Sequence, residues 1–203
     1  LQEMHAKPFQ AAIRDGMLRG IMPCYCSLND LPVHASQKYL TALLRGDMGF
    51  DGVVASDYGA VHNVYTRQHV CESQAEAGAR CLKAGTDLEL PVAACYGSEL
   101  REKFEKGEEN IAILDQAVLR ILEAKFRMGL FEHPYALCGD ALQKTMHCGD
   151  EKAVSMQSAQ ESIILLKNDG ILPLKNEKKT IALVGPQAVN AGFYFGGYTR
   201  LSM

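Results

Sequence analysis

Gly49-Phe50-Asp51-Gly52-Val53-Val54-Ala55-Ser56-Asp57-Tyr58-Gly59-Ala60-Val61 is the stretch on which the fold turns. Its apolar centre, Val53-Val54-Ala55, lacks any alternation of apolar and polar residues, the pattern of a strand covered on both faces in a parallel sheet. The run ends on Ser56-Asp57-Tyr58-Gly59, an acid, an aromatic and a glycine at the strand's C-terminal end. α/β folds place their chemistry there. Asp57 is the leading catalytic candidate. An aspartate after a strand also supplies helix N-caps, and the residues alone weigh the two roles evenly.

Upstream, residues 1–15 are loosely helical and Gly16 is a stop; Gly20 to Tyr25 reads as a short strand entering a loop from Ser27 to His34. Ser36 then caps a helix whose face is Tyr39, Leu40, Leu43 and Leu44, ending at Gly46. Downstream, Ser73 and Glu76 fit a capping box, in which each residue satisfies an unpaired N–H at a helix start. That helix stops at Gly85, and Thr86-Asp87-Leu88-Glu89-Leu90-Pro91 alternates as a third strand. The three strands begin about 32 residues apart with one helix in each gap, and a (β/α)8 barrel allots about 31 residues to each unit. Three units do not close a barrel, so the pattern fits an open doubly wound sheet or part of a longer chain.

A long helix follows from Asn110 to Met128, with Ile111, Leu114, Val118, Ile121, Leu122 and Phe126 at helical spacing, read as a core-packing element. Leu130 to Asp150 holds no periodicity and reads as a linker. A second region opens with a helix near Glu151–Leu166 and continues through a charged turn, Lys175–Lys179, to a strand, Thr180–Val184.

The 203 residues are 47% hydrophobic and 22% charged, values of an ordinary globular protein. The 24 acidic and 21 basic residues give a net charge of -3 without a basic block, so nucleic-acid and anionic-membrane binding lack electrostatic support. No apolar run reaches the roughly 20 residues that span a bilayer. Seven cysteines without a Cys-x-x-Cys pair argue against zinc and favour free thiols, which leans the expected compartment toward the cytoplasm.

Several motifs in a fixed order resemble glycoside hydrolase family 3, the β-glucosidase and β-xylosidase family. They are Met22-Pro-Cys-Tyr25 with Asn29-Asp30-Leu31-Pro32-Val33-His34-Ala35-Ser36, then Gly49 to Asp57, then Ala84-Gly-Thr-Asp-Leu-Glu-Leu-Pro91. Arg120 to Phe131, and Glu161 to Asn168 with Leu172-Pro-Leu174, complete the set. The resemblance implies the C-terminal part of a (β/α)8 TIM-type barrel at 1–133, a linker at 134–149, and the truncated start of an α/β sandwich domain at 150–203. It implies a retaining, exo-acting β-glycosidase on β-D-glucosides or β-D-xylosides, with no cofactor and no metal. The partner would be a small oligosaccharide or an aryl or alkyl β-glycoside.

Within that resemblance Asp57 is the nucleophile. Tyr58 stands where the family carries a Trp that stacks on a sugar, and Tyr25 and Met22 fall at substrate-lining positions. Plain packing is the rival role for all three. Asp30 replaces the family's usual Gly. The acid/base Glu falls beyond Met203, since Glu132, Glu151, Glu161 and Glu177 match no motif; the chain alone is therefore expected to be inert. Asp87 and Glu89 share one face of the third strand and read as structure, and His34, His62 and His69 as loop surface. Gly185-Pro186 and Gly196-Gly197 are not phosphate loops. A Schiff-base aldolase would need a lysine at a strand end, whereas Lys38 and Lys83 lie on helices. The alternative function is an inactive carbohydrate-binding homologue of the same fold.

Overall fold

Parallel pairing organises the first part of the chain: β1 (Gly20–Ile21), β4 (Val53–Tyr58) and β5 (Leu88–Leu90) form a three-stranded sheet in the order β1-β4-β5. Gly20 faces Val53, Ile21 faces Val54, and Ala55 faces Leu88. In this computed structural model residues 2–146, 149–175, 180, 182–190, 192 and 195 are described. They fall into two compact units, Leu1–Ala136 and Leu137–Met203. The order follows the sequence without reversal, as in consecutive units of a barrel and unlike the reversal that marks a doubly wound sheet.

The first unit opens with a wide-turned helical stretch, Gln2–Ala6, and α1 (Lys7–Gly16), which ends on Met17 in the left-handed region. After β1 a tight hairpin joins β2 (Ser27–Leu28) to β3 (Leu31–Pro32). Its turn residues Asn29 and Asp30 have φ of 50° and 61°, the pair of positive angles a type I′ turn needs. That conformation explains why a glycine suits position 30 and why Asp is still tolerated.

Lys38–Asp47 winds as a π-type helix, and the Tyr39 N–H reaches Ser36 Oγ at 3.4 Å, a long version of the expected cap. Gly46 does not end it; the Met48 N–H closes on Leu43 C=O. Leu40 and Leu44 from this helix meet Phe50, Val54 and Ala84 in one core cluster. Each such burial contributes on the order of 1.5–3 kcal/mol.

α2 (Ala60–Thr66) and α3 (Gln74–Ala84) pack Val61, Val64, Ala77 and Cys81 together with Cys95. Half of the capping box forms: the Glu76 N–H donates to Ser73 Oγ at 3.1 Å, but the Glu76 carboxylate takes the Glu72 N–H one residue earlier in place of that of Ser73. Gly85 stops α3 at φ 105°, an angle only glycine adopts freely.

The structure adds α4 (Ser98–Glu105) between β5 and the long helix α5 (Ile111–Arg127). α4 escaped the sequence reading because Leu100 and Phe104 are its only apolar residues among mostly charged ones, with ion pairs Arg101–Glu105 and Glu102–Lys106 along its surface. Asn110 caps α5 as expected, accepting the Ala112 N–H at 3.0 Å. The helix is less of a core element than its periodicity implies. Ala117 alone is buried, while Ile111, Val118 and Phe126 are exposed, because within this unit only one side of the helix meets a neighbour.

In the second unit α6 (Gly139–Thr145) occupies what reads in sequence as linker, and α7 (Gly149–Glu161) ends five residues before Leu166. α6 has no buried residue, so it leaves no apolar period to detect. Among the described residues 180 and 182–184 no strand forms, and Leu183 and Val184 are exposed. Residues 176–179, Ile181, Gly196 and Gly197 lie outside the described residues. No helix among the described residues is long and apolar enough to cross a membrane.

Candidate active site

The site is built where β4 runs out. Between the Ala55–Leu88 and Tyr58–Leu90 pairs, β4 takes three residue steps while β5 takes two. One residue is therefore extra, a bulge of the kind that re-aims side chains at a strand end. Val54 and Ser56 are buried, whereas Val53, Ala55 and Asp57 alternate onto the more open face. The Asp57 carboxylate is half-buried there. Its Oδ1 accepts the Tyr58 N–H at 2.7 Å, and among the described residues Oδ2 has no hydrogen-bond partner.

This answers the helix-cap alternative. α2 is capped by Gly59 at φ 67° with no side-chain bond, so Asp57 does not hold the helix start. No lysine or arginine pairs with it among the described residues. Its carboxylate is left available at the strand end, which is what an attacking group needs.

Tyr25 and Tyr58 come together with Asp57. The Tyr25 hydroxyl donates to the Tyr58 carbonyl at 2.8 Å, and both rings are about half exposed. Gln68 Nε2 reaches across to the Tyr25 carbonyl at 3.0 Å and to Ser27 Oγ at 3.2 Å, tying the loop after β1 to the loop after α2. Met22, also half exposed, lies along a separate apolar groove of about 290 Å³ with Phe9, Ile21, Leu43 and Met48. A second apolar cavity of about 350 Å³, among α3, α4 and α5, is also lined by neither Asp57 nor Tyr58.

His34 was expected on the loop surface and is instead only 2% exposed. The turn Val33–Ala35 is tucked under α2 and α3, with Ala35 against the Val61–Cys81 cluster and the His34 carbonyl taking the Thr86 hydroxyl at 3.0 Å. Burial drives the imidazole pKa down to about 4, against the opposing pull of the Asp57 charge and a hydrogen bond to the Cys24 main chain. The ring is therefore neutral near pH 7, and its buried Nε2 has no hydrogen-bond partner among the described residues. Residue type offered no signal for this; only the packing of the turn does. His62 is partly buried beside Gln74 Nε2 at 3.2 Å, and His69 is exposed.

Asp87 and Glu89 face away from this opening. Glu89 accepts the Cys95 and Tyr96 N–H groups at 2.8 Å each. Asp87 is fully buried, with Arg45 at 2.7 Å, Arg120 at 2.8 Å and the Val54 N–H at 2.9 Å. Both carboxylates are consumed by structure, the role that the family resemblance implies for this stretch. Cys24, Cys26, Cys71, Cys81, Cys95 and Cys138 are free thiols, and burial pushes Cys95 up to about 12. Among the described residues no three His, Cys, Asp or Glu side chains converge as a metal site.

Residues 1–124 match the family model for the glycosyl hydrolase family 3 N terminal domain. A β-xylosidase of Formosa agariphila is 32% identical over 99% of this chain and 30% of its own length. A probable exo-1,4-β-xylosidase of Aspergillus terreus is 30% identical over 97% of this chain and 25% of that protein. A β-glucosidase from Listeria innocua, solved with laminaribiose, superposes with a TM-score of 0.72 at 33% identity, covering 82% of this chain and 23% of that one. The chain thus spans less than a third of the length of these relatives. Its α/β fold is similar to the barrel-like N-terminal domain of that family.

Proposed function

This chain belongs to glycosyl hydrolase family 3, and on that premise we propose that it carries the nucleophile of a retaining β-glycosidase. The substrate class is a β-D-glucoside or β-D-xyloside, from which the whole protein releases the terminal sugar. Asp57 Oδ2 attacks the anomeric carbon while the glycosidic C–O bond breaks, giving a glycosyl-Asp57 ester. Water then cleaves the ester with a second displacement. Tyr58 and Tyr25 border the sugar; Met22, whose groove is separate from Asp57 and Tyr58, is the least supported of the three as a substrate contact.

The observation that carries this reading is the Asp57 carboxylate itself: it stands at the C-terminal end of β4, does not cap α2, and among the described residues enters no ion pair and keeps one oxygen without a hydrogen bond. The named relatives, β-xylosidases and a β-glucosidase, support the substrate class. The unreversed order β1-β4-β5 supports residues 1–133 as late strands of a (β/α)8 barrel, with 134–149 a connection that includes α6 and 150–203 the start of a sandwich domain. A retaining mechanism also needs a proton donor about 5–5.5 Å from the nucleophile. That Glu is assigned to a part of the whole protein outside these 203 residues, so the isolated chain is inert.

A slow 2-deoxy-2-fluoro β-glycoside incubated with the whole protein tests the reading, with peptide mapping of the adduct. The label is expected on Asp57. A label on another carboxylate overturns the assignment, and turnover of an aryl β-glycoside by the isolated chain overturns its inertness.

A further inference from the structure

Ser56 is fully buried beside Asp57, at the point where the pairing of β4 and β5 changes step. A buried hydroxyl must find partners, and this one has two. It accepts the Leu90 N–H at 2.9 Å and donates to the Asp57 carbonyl at 2.9 Å. The second bond matters for the chemistry. The Asp57 carbonyl and the Tyr58 N–H belong to one planar peptide group, whose two polar ends point in opposite directions. Ser56 holds the carbonyl end of that plane, and the N–H end donates to Asp57 Oδ1 at 2.7 Å.

We propose that Ser56 is a positioning residue for the nucleophile, acting through the 57–58 peptide plane. The plane cannot rotate without losing the Ser56 bond, so Oδ1 stays under the Tyr58 N–H and Oδ2 stays free to attack. A hydrogen bond at the carbonyl also polarises the amide and strengthens its N–H as a donor. Neighbouring bonds close the arrangement: the Tyr25 hydroxyl donates to the Tyr58 carbonyl, and the Gly59 N–H donates to the Leu90 carbonyl at 2.8 Å. Leu90 thereby clasps both flanks of the Asp57–Tyr58 segment, its N–H through Ser56 and its carbonyl through Gly59.

The inference rests on Asp57 being the nucleophile, and the test separates the two. In the whole protein, Ser56→Ala, Ser56→Thr and Ser56→Cys are compared by the rate of labelling with a 2-deoxy-2-fluoro β-glycoside, by kcat and KM, and by peptide mapping. Displacing a reacting group by about 1 Å costs on the order of 100-fold. Ser56→Ala is therefore expected to slow labelling and kcat about 10–100-fold, with KM within about threefold and the label still on Asp57. Ser56→Thr, which keeps the hydroxyl, recovers most of the rate. A loss of packing alone would not restore with hydroxyl chemistry. Should Ser56→Ala fail to fold, Ser56→Cys against Ser56→Thr makes the same comparison, since Cys keeps the volume but donates weakly. Equal labelling rates across the series overturn the role of Ser56 and leave Asp57 standing. A label on a different carboxylate in the unaltered protein overturns both.

Discussion

Asp57 and Asp87 stand on adjacent parallel strands, one at the C-terminal end of β4 and the other just before β5, and they are held in opposite ways. Asp87 is buried with two guanidinium groups and a main-chain N–H on its two oxygens. Arg45 extends that knot to the carbonyls of Gly52 and Gly85, so one aspartate ties the π-type helix, β4, β5 and α5 together. Among the described residues Asp57 has one donor and no cation, and its side chain is half-buried. The difference teaches where this fold spends its charges. Just before β5 a carboxylate is neutralised to hold elements in place; at the C-terminal end of β4 one has no cationic partner among the described residues, and that is the one proposed as nucleophile.

The sharpest way to break that comparison is to remove each aspartate and measure both activity and stability. Asp57→Ala in the whole protein is expected to lower kcat by on the order of 10⁴–10⁶-fold, as loss of a nucleophile does in other enzymes. Its unfolding free energy should change by no more than about 0.5 kcal/mol. A large stability loss with retained turnover would reverse the roles. Asp87→Ala is the converse: it strands Arg45 and Arg120 without a counter-charge and is expected to cost about 3–5 kcal/mol in chemical unfolding followed by circular dichroism.

His34 adds a pH-dependent term on the Asp57 side. Its folded pKa of about 4 lies below the unfolded value of 6.5, so the unfolded chain binds the proton more tightly. The stability it contributes is complete above about pH 6.5 and is lost as pH falls toward about 4. At about 1.4 kcal/mol per pKa unit the loss amounts to about 3 kcal/mol. Unfolding curves across that window should steepen for the native protein and flatten in His34→Gln; parallel curves would remove His34 from the account.

The smallest effect belongs to Asp51, which also bridges two arginines, Arg19 and Arg127, at 2.8 Å each. Those bonds draw its carboxyl below the usual range, with Arg127 as the main cause. The group is 54% exposed, so water and salt screen it. Asp51→Ala is expected to cost under about 1 kcal/mol, less at high salt. A cost near that of Asp87 would mean that pairing, and not burial, sets the size of these contributions.

Local pattern determined a good deal by itself. The bare apolar run at Val53 to Ala55, the box at Ser73 and Glu76, and the caps at Gly85 and Asn110 are encoded in a few neighbouring residues, because strand burial and helix capping are short-range physics. The same holds for Asp57 at the strand end and for Asp87 and Glu89 on one face. Tertiary structure decided what local pattern does not encode. A histidine in a loop became a buried neutral ring because two helices cover its turn. A charged segment became α4 because surface ion pairs replace an apolar period. Whether Asp57 would cap a helix or stand free depended on the bulge opposite β5 and on Gly59 taking the cap. The partners of Ser56, a buried hydroxyl between two strands, exist only once Leu90, 34 residues away in the chain, is beside it.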